Sequence, residues 1–371
     1  MRSTSNKATA GNQWYDSVNR EIAVYIPGLI TLMGSGETAP GGRVFYESSF
    51  QTLPPPVNVA IMETPAGFEL NSSDVAGRVA GFIEHRLQNY KPNVTVVPAR
   101  RNDTEFGTNN FDILRPLLNA NYIFMGPGSP SYTVRHLTGS LAWEIIRARH
   151  RLGACLAFSS SAAIAIGLKV LPVYEIYKVG EDPHWIQGLD LLGELGISAA
   201  FVTHWNNTEG GTKLDTSRCY IGKPRLEALL ATLPSGTALV GIDEHTSLTF
   251  DFSKLICRVI GKGTVTIIND GDERVFEQNS EIPLGELGSL NLPMQEEGIL
   301  SNIWNSVVAA SEIPVDTPLP QNVAELIAER QVARQRKDWD TADLLRDLLQ
   351  DMGYAVSDAV DGSSVRATDV D

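Results

Sequence analysis

Between residues 28 and 203 the chain repeats one pattern: a run of four or five mostly apolar, β-prone residues, a turn, then a longer amphipathic stretch. The runs fall at 29–33, 58–62, 94–98, 122–125, 154–158 and 199–203. Strands that are apolar along their whole length must be covered on both faces, which happens when helices flank a parallel sheet. The amphipathic stretches supply those helices, at 73–89, 112–119 and 131–151; in the first, Val75, Val79, Phe82, Ile83 and Leu87 recur at helical steps. The pattern therefore predicts an α/β fold, flavodoxin-like, with a mostly parallel sheet and helices on both faces.

Beyond His204 the rhythm changes. A Gly-rich polar stretch and a helix at 224–233 precede short β runs at 238–242, 247–252, 255–260 and 264–268, separated by turn residues. These are expected to finish one edge of the sheet in antiparallel fashion. Residues 312–320, EIPVDTPLP, carry three prolines in nine positions and read as a linker. Helices at 323–337 and 341–352, the second closed by Gly353, make the remainder a small helical module. The expected division is a flexible N-terminus at 1–20, a hydrolase domain at 21–311, the linker at 312–320 and the module at 321–371.

Composition narrows the function classes. A formal charge of −14 opposes binding of a phosphate backbone by the whole chain. No apolar run is long enough to span a membrane and the first residues lack a secretory apolar segment, so a soluble, cytoplasmic protein is expected. Cys155, Cys219 and Cys257 lie far apart in no C-x-x-C pair, and the histidines show no ligand spacing. Structural cysteines, no metal and no cofactor are the expectation.

The chemistry-bearing stretch is 153–167, GACLAFSSSAAIAIG, an apolar strand running through three serines into small helix-forming residues. A sharp strand-to-helix turn at the carboxyl edge of such a sheet can project a nucleophile beside free backbone N–H groups. Ser160 or Ser161 stands there; a plain helix cap would read the same way.

The sequence FSSSAA at 158–163 resembles the nucleophile elbow of the cyanophycinase and aspartyl dipeptidase family of serine peptidases, whose domain is like the class I glutamine amidotransferases. Met125-Gly126-Pro127-Gly128-Ser129 and Met33-Gly34-Ser35-Gly36-Glu37 are similar to that family's two glycine turns, His204 follows a strand as its histidine does, and residues 241–248, GIDEHTSL, resemble a later strand. The likeness spans about residues 28–270 and implies a peptidase of small peptide or amide substrates, cleaving a peptide or isopeptide bond beside an aspartyl group. It implies Ser160 as nucleophile, His204 as base and, from the fifteen-residue spacing of the dipeptidase branch, Glu175 as the acid, with Glu244 in reserve. Backbone N–H groups of Gly128 and Ser161 would form the oxyanion hole, and Gly34, Ser35, Glu37, Glu244 and Trp205 would border the substrate.

Three departures from the family pattern keep a second reading open. Phe158 and Ala162 flank Ser160 where the elbow prefers glycine, Ser159 and Ala163 give Ser161 the smaller flanks, and Pro127 removes one N–H donor. The alternative is a non-catalytic, amidotransferase-like binding or assembly module. Residues 325–366 resemble the helical tail of cysteinyl-tRNA synthetases, with Arg330, Ala333, Arg334, Lys337, Asp338, Ala342, Asp343, Arg346, Asp347 and Gly353 in step. Nucleic acid is expected at most through this module, by a patch of Arg330, Arg334, Arg336 and Lys337; packing or homo-oligomer formation is the other use.

Overall fold

A computed structural model of the chain describes residues 25–312, 326–327, 329–330, 332–334, 336–352, 354–359 and 362–367. The expected N-terminal segment 1–20, linker residues 313–320, much of the helix at 323–337, and Gly353 lie outside the described residues. The chain divides into two compact units, Met1–Glu312 and Ile313–Asp371.

The first unit is built on an eight-stranded sheet. Its elements run β1 (Ile30–Met33), α1 (Arg43–Phe50), β2 (Asn58–Met62), α2 (Ser72–Arg86), β3 (Asn93–Val97), α3 (Phe111–Leu118), β4 (Tyr122–Met125), α4 (Pro130–Leu137), α5 (Leu141–Arg151), β5 (Cys155–Ser159) and α6 (Ser161–Ala165). They continue through β6 (Lys169–Val170), β7 (Ile186–Gln187), β8 (Ala199–Val202), α7 (Lys223–Leu230), β9 (Ala238–Ile242), β10 (Thr246–Asp251), β11 (Ile256–Gly261), β12 (Val265–Asn269), β13 (Asp272–Phe276), β14 (Glu281–Pro283) and α8 (Ser301–Glu312). The large sheet has the order β14-β11-β10-β1-β5-β4-β2-β3. Its five strands from β1 to β3 are parallel, and β10, β11 and β14 add an antiparallel edge.

Both faces are buried, as the apolar runs require. Along β5, Cys155 and Ala157 face one core with Phe45, Tyr46 and Phe50 of α1 and Ala76, Val79 and Ile83 of α2. Leu156 and Phe158 face the other with Leu114 and Leu117 of α3, Ile145 and Ile146 of α5, and Ile303 and Val307 of α8. Each of the Val, Leu, Ile and Phe side chains among these, when fully buried, contributes roughly 1.5–3 kcal/mol.

Two expectations need correction. The stretch 131–151 is two helices, because Gly139 takes a left-handed φ of 67° and Ser140 then accepts a hydrogen bond from the Trp143 amide to cap a new start. The runs at 199–203, 238–242 and 264–268 do not join the large sheet. They form a second sheet, β13-β12-β9-β8, in which β8 and β9 are parallel. One face, with Phe201, Val240 and Ile242, packs into the main core, where the Phe201 ring meets Phe250 edge-on; the other, with Val202 and Leu239, lies under Leu226 and Leu229 of α7.

In the second unit, the helix Trp339–Asp351 is capped by Asp338, whose carboxylate accepts the Thr341 amide. It is followed by an antiparallel pair, β15 (Tyr354–Ala359) and β16 (Gly362–Ala367), which the helical reading did not anticipate.

Candidate functional site

Strand β5 delivers Ser160 to the carboxyl edge of the sheet. Its amide donates to Met33 O at 2.9 Å, so the parallel ladder with β1 continues into the turn. There the backbone swings to φ 52°, ψ −115°, a conformation that costs a non-glycine residue of order 1–3 kcal/mol and persists only where its surroundings over-determine it. The restraint comes from α6 immediately afterwards, whose Ala162, Ala163 and Ala165 are wholly buried and let the short helix press onto the sheet. Phe158, two before the serine, adds to this: it is buried in the main core rather than obstructing the turn.

The parallel pairing of β8 with β9 sets His204 and Glu244 side by side. Val202 is in register with Gly241, so the residues that follow each strand, His204 and Glu244, emerge at the same end. His204 Nε2 lies 2.9 Å from Ser160 Oγ, and His204 Nδ1 lies 2.8 Å from Glu244 Oε1. A carboxylate can only accept, so Nδ1 carries the proton and Nε2 is free to accept from the serine hydroxyl. Asn207 Nδ2 also donates to Glu244 Oε1, and the Glu244 amide donates to Asn206 Oδ1. The hydrogen bond from His204 holds the Glu244 carboxyl below its ordinary range; partial burial opposes this and Asn207 reinforces it.

The expected acid, Glu175, is elsewhere. It opens a one-turn segment, Glu175–Val179, and its Oε1 accepts from Ser131 Oγ at 2.5 Å. Spacing along the chain pointed to Glu175, but adjacency across a sheet decides which carboxylate reaches the imidazole. The buried Ser161 hydroxyl donates to Gly126 O, and it is the Ser160 hydroxyl that lies at His204.

Beside Ser160 a cleft of ≈ 140 Å³ is bordered by Pro127, Gly128, Ser161, Tyr174, His204 and Tyr220, among others. The backbone at Gly128 and Ser161, the two expected oxyanion donors, therefore borders it. Only glycine fits at 128, because a Cβ would stand 1.9 Å from Pro65 O. Gly34, Ser35, Glu37 and Trp205, expected to border the substrate, do not line this cleft. A Cβ on Gly34 would strike Asp243 O at 2.0 Å, and Ser35 Oγ accepts the His245 amide. Glu37 accepts from Ser159 Oγ at 2.8 Å, and Trp205 is buried beneath Arg218. All four brace the strand ends instead.

The sequence reading missed Tyr174, Cys219 and Tyr220. Arg218, Cys219 and Tyr220 take three successive left-handed conformations, and the Cys219 amide donates to His204 O, so this turn closes over the histidine. Burial pushes the Cys219 thiol up to about 12, which leaves it protonated and inert at neutral pH. Burial, with Glu209 nearby, pushes the Tyr220 phenol up to about 12 as well. Among the described residues no cluster of His, Cys, Asp or Glu is placed to hold a metal ion, and no helix is long and apolar enough to cross a membrane.

Comparison with known proteins separates the two units. Over 70% of this chain and 98% of the other, the fold superimposes on the crystal structure of a peptidase from an acI-B1 actinobacterium, with a TM-score of 0.56 and 20% sequence identity. The main body has the same fold as that peptidase. Residues 316–366 match the cysteinyl-tRNA ligase anticodon binding domain. Within curated sequences, the cysteine–tRNA ligase of Chlamydia caviae is 39% identical over 62 residues, 17% of this chain and 13% of that enzyme. The Coxiella burnetii ligase is 50% identical over 46 residues, 12% of this chain and 10% of that enzyme. The chain thus spans only about a tenth of the length of these relatives. Within the matched segment, Arg330 is buried, Arg334 packs over the Trp339 ring, and Arg336 and Lys337 are exposed. The expected basic patch therefore loses Arg330 from its surface.

Proposed function

We propose that the first unit is a serine-nucleophile hydrolase of peptide or isopeptide bonds, with Ser160, His204 and Glu244 as its triad. One observation carries this reading: the unbroken hydrogen-bonded line from Ser160 Oγ through His204 to Glu244, on a strained turn at the carboxyl edge of the sheet. A helix cap needs neither the histidine nor the strain. Glu244 holds the imidazole in the tautomer that accepts the serine proton and stabilises the imidazolium that results. As Ser160 Oγ bonds to the scissile carbonyl carbon, its proton passes to His204 Nε2, and the carbonyl oxygen gains charge facing the Gly128 and Ser161 amides. His204 then returns the proton to the leaving amine, and water hydrolyses the acyl-enzyme by the same steps.

The fold it shares with a peptidase supports amide rather than other acyl substrates. An aspartyl preference finds no support in the cleft, whose lining contains no Lys or Arg to meet an acidic group. For the second unit we infer a contact with RNA, favoured over a purely structural hairpin by its match to an anticodon binding domain. Residues 320–371 hold 6 basic against 11 acidic residues, so binding would centre on Arg336 and Lys337. The hydrolase proposal is tested with a panel of dipeptides and isopeptides: Ser160→Ala should lower kcat by about 10⁴–10⁶ with the thermal midpoint unchanged, far beyond the effect of a lost cap. Retained turnover in Ser160→Ala would end it.

A further inference from the structure

We propose that Glu175 is the positioning residue of the oxyanion loop, acting on Gly128 through Ser131 and Ser129. The inference rests on the hydrolase reading above. Gly128 lies between two restraints. On one side the next amide, Ser129 N, donates to Pro65 O at 2.9 Å, against which Gly128 is packed without room for a side chain. On the other side a chain of hydroxyls leads away: Ser129 Oγ lies 3.0 Å from Ser131 Oγ, which lies 2.5 Å from Glu175 Oε1.

The carboxylate gives that chain its direction. It can only accept, so Ser131 spends its single proton on Glu175 and must accept from the Ser129 hydroxyl. Ser129 Oγ in turn receives the Tyr132 amide as the cap of α4. Both serines are largely buried, which limits water as an alternative partner, and the hydroxyl rotors are set from the Glu175 end. The same bond joins two walls of the cleft, because Glu175 follows Tyr174 and Ser131 lies three residues beyond Gly128.

Among the described residues Glu175 forms no ion pair. The Lys178 ammonium lies over the Tyr177 ring, 4.8 Å from its centroid. Glu175 Oε2 is shielded from solvent with no hydrogen-bond partner among the described residues. A carboxylate oxygen left so is costly, and its retention calls for an explanation in the bond that the other oxygen makes.

The test measures the rate at which a fluorophosphonate modifies Ser160, as a function of pH; the Ser160 oxygen bonds to phosphorus, fluoride leaves and His204 takes the proton. The phosphoryl oxygen that gains charge occupies the oxyanion position, so the rate reports the loop without needing the natural substrate. Glu175→Ala and Ser131→Ala should each slow labelling by about 10–100-fold, the effect of a small displacement of one donor. The acidic midpoint of the rate profile should not move, and the double variant should be no slower than the singles, since all act through one relay. Glu175→Gln, which keeps an acceptor for Ser131, should restore most of the rate. Wild-type rates in both Glu175→Ala and Ser131→Ala would overturn the proposal, as would a displaced acidic midpoint, which would make Glu175 a partner of His204. If Glu175→Ala fails to fold, Ser131→Ala decides alone. A wild-type protein that is not labelled at Ser160 would instead refute the hydrolase reading itself.

Discussion

Replacing Glu244 by Gln removes one charge and almost no volume. Glu244 Oε1 accepts from both His204 Nδ1 and Asn207 Nδ2, and a glutamine oxygen in the same place could keep both bonds. The ground-state tautomer then survives, and the loss falls on the imidazolium formed during attack. At the 2.8 Å separation of the pair, two unit charges attract by about 6 kcal/mol at an effective dielectric constant near 20. The carboxylate is 28% exposed, so solvent screens part of that. A remainder of about 4–5.5 kcal/mol predicts a fall in kcat of about 10³–10⁴, with KM little changed. Steady-state kinetics on the substrate that the wild type cleaves best, with circular dichroism to confirm folding, measure it. A loss of under about tenfold in Glu244→Gln would refute the assignment of the acid.

Two further outcomes follow from the structure. His150 is buried, with Nε2 donating to Gly28 O, and burial pushes its pKa down to about 4 from an ordinary 6.5. Between these values the unfolded chain binds a proton that the folded one refuses. Stability should therefore rise with pH across that window, by about 3 kcal/mol in total from this group. The slope of unfolding free energy between pH 4 and 6.5 should flatten in His150→Gln, and an unaltered slope would contradict it. Truncation after Glu312, where the two compact units divide, should leave the thermal midpoint of the first unit unchanged while removing any retention of tRNA on a filter. Aggregation of the truncated protein, or equal tRNA retention without residues 313–371, would count against it.

The parallel half of the sheet was legible because strands buried on both faces leave mostly apolar runs, as at Ile30–Met33, Asn58–Met62 and Tyr122–Met125. That β8, β9 and β12 leave this sheet was not, since Ala199–Val202 and Ala238–Ile242 are as apolar as the strands that stay. Periodicity reports burial, not which neighbour provides it. The same limit applies to the carboxylate beside His204. Ser160 and His204 follow strands that their motifs mark, but the choice between Glu175 and Glu244 depends on β8 pairing with β9, a contact between residues some forty positions apart. The one local hint was that Glu244, like His204, comes two residues after an apolar run. Tyr174 and Tyr220 reach the cleft from irregular segments, where no repeating pattern exists to be read. The left-handed turn at 218–220 has no glycine to announce it.

The most direct test of the central claim is covalent. The full-length protein, incubated near neutral pH with a fluorophosphonate, digested and mapped by mass spectrometry, should carry a single adduct on Ser160, and Ser160→Ala should carry none. An adduct on Ser161, or no adduct in a folded wild-type protein, would contradict the assignment of Ser160 as a nucleophile activated by His204.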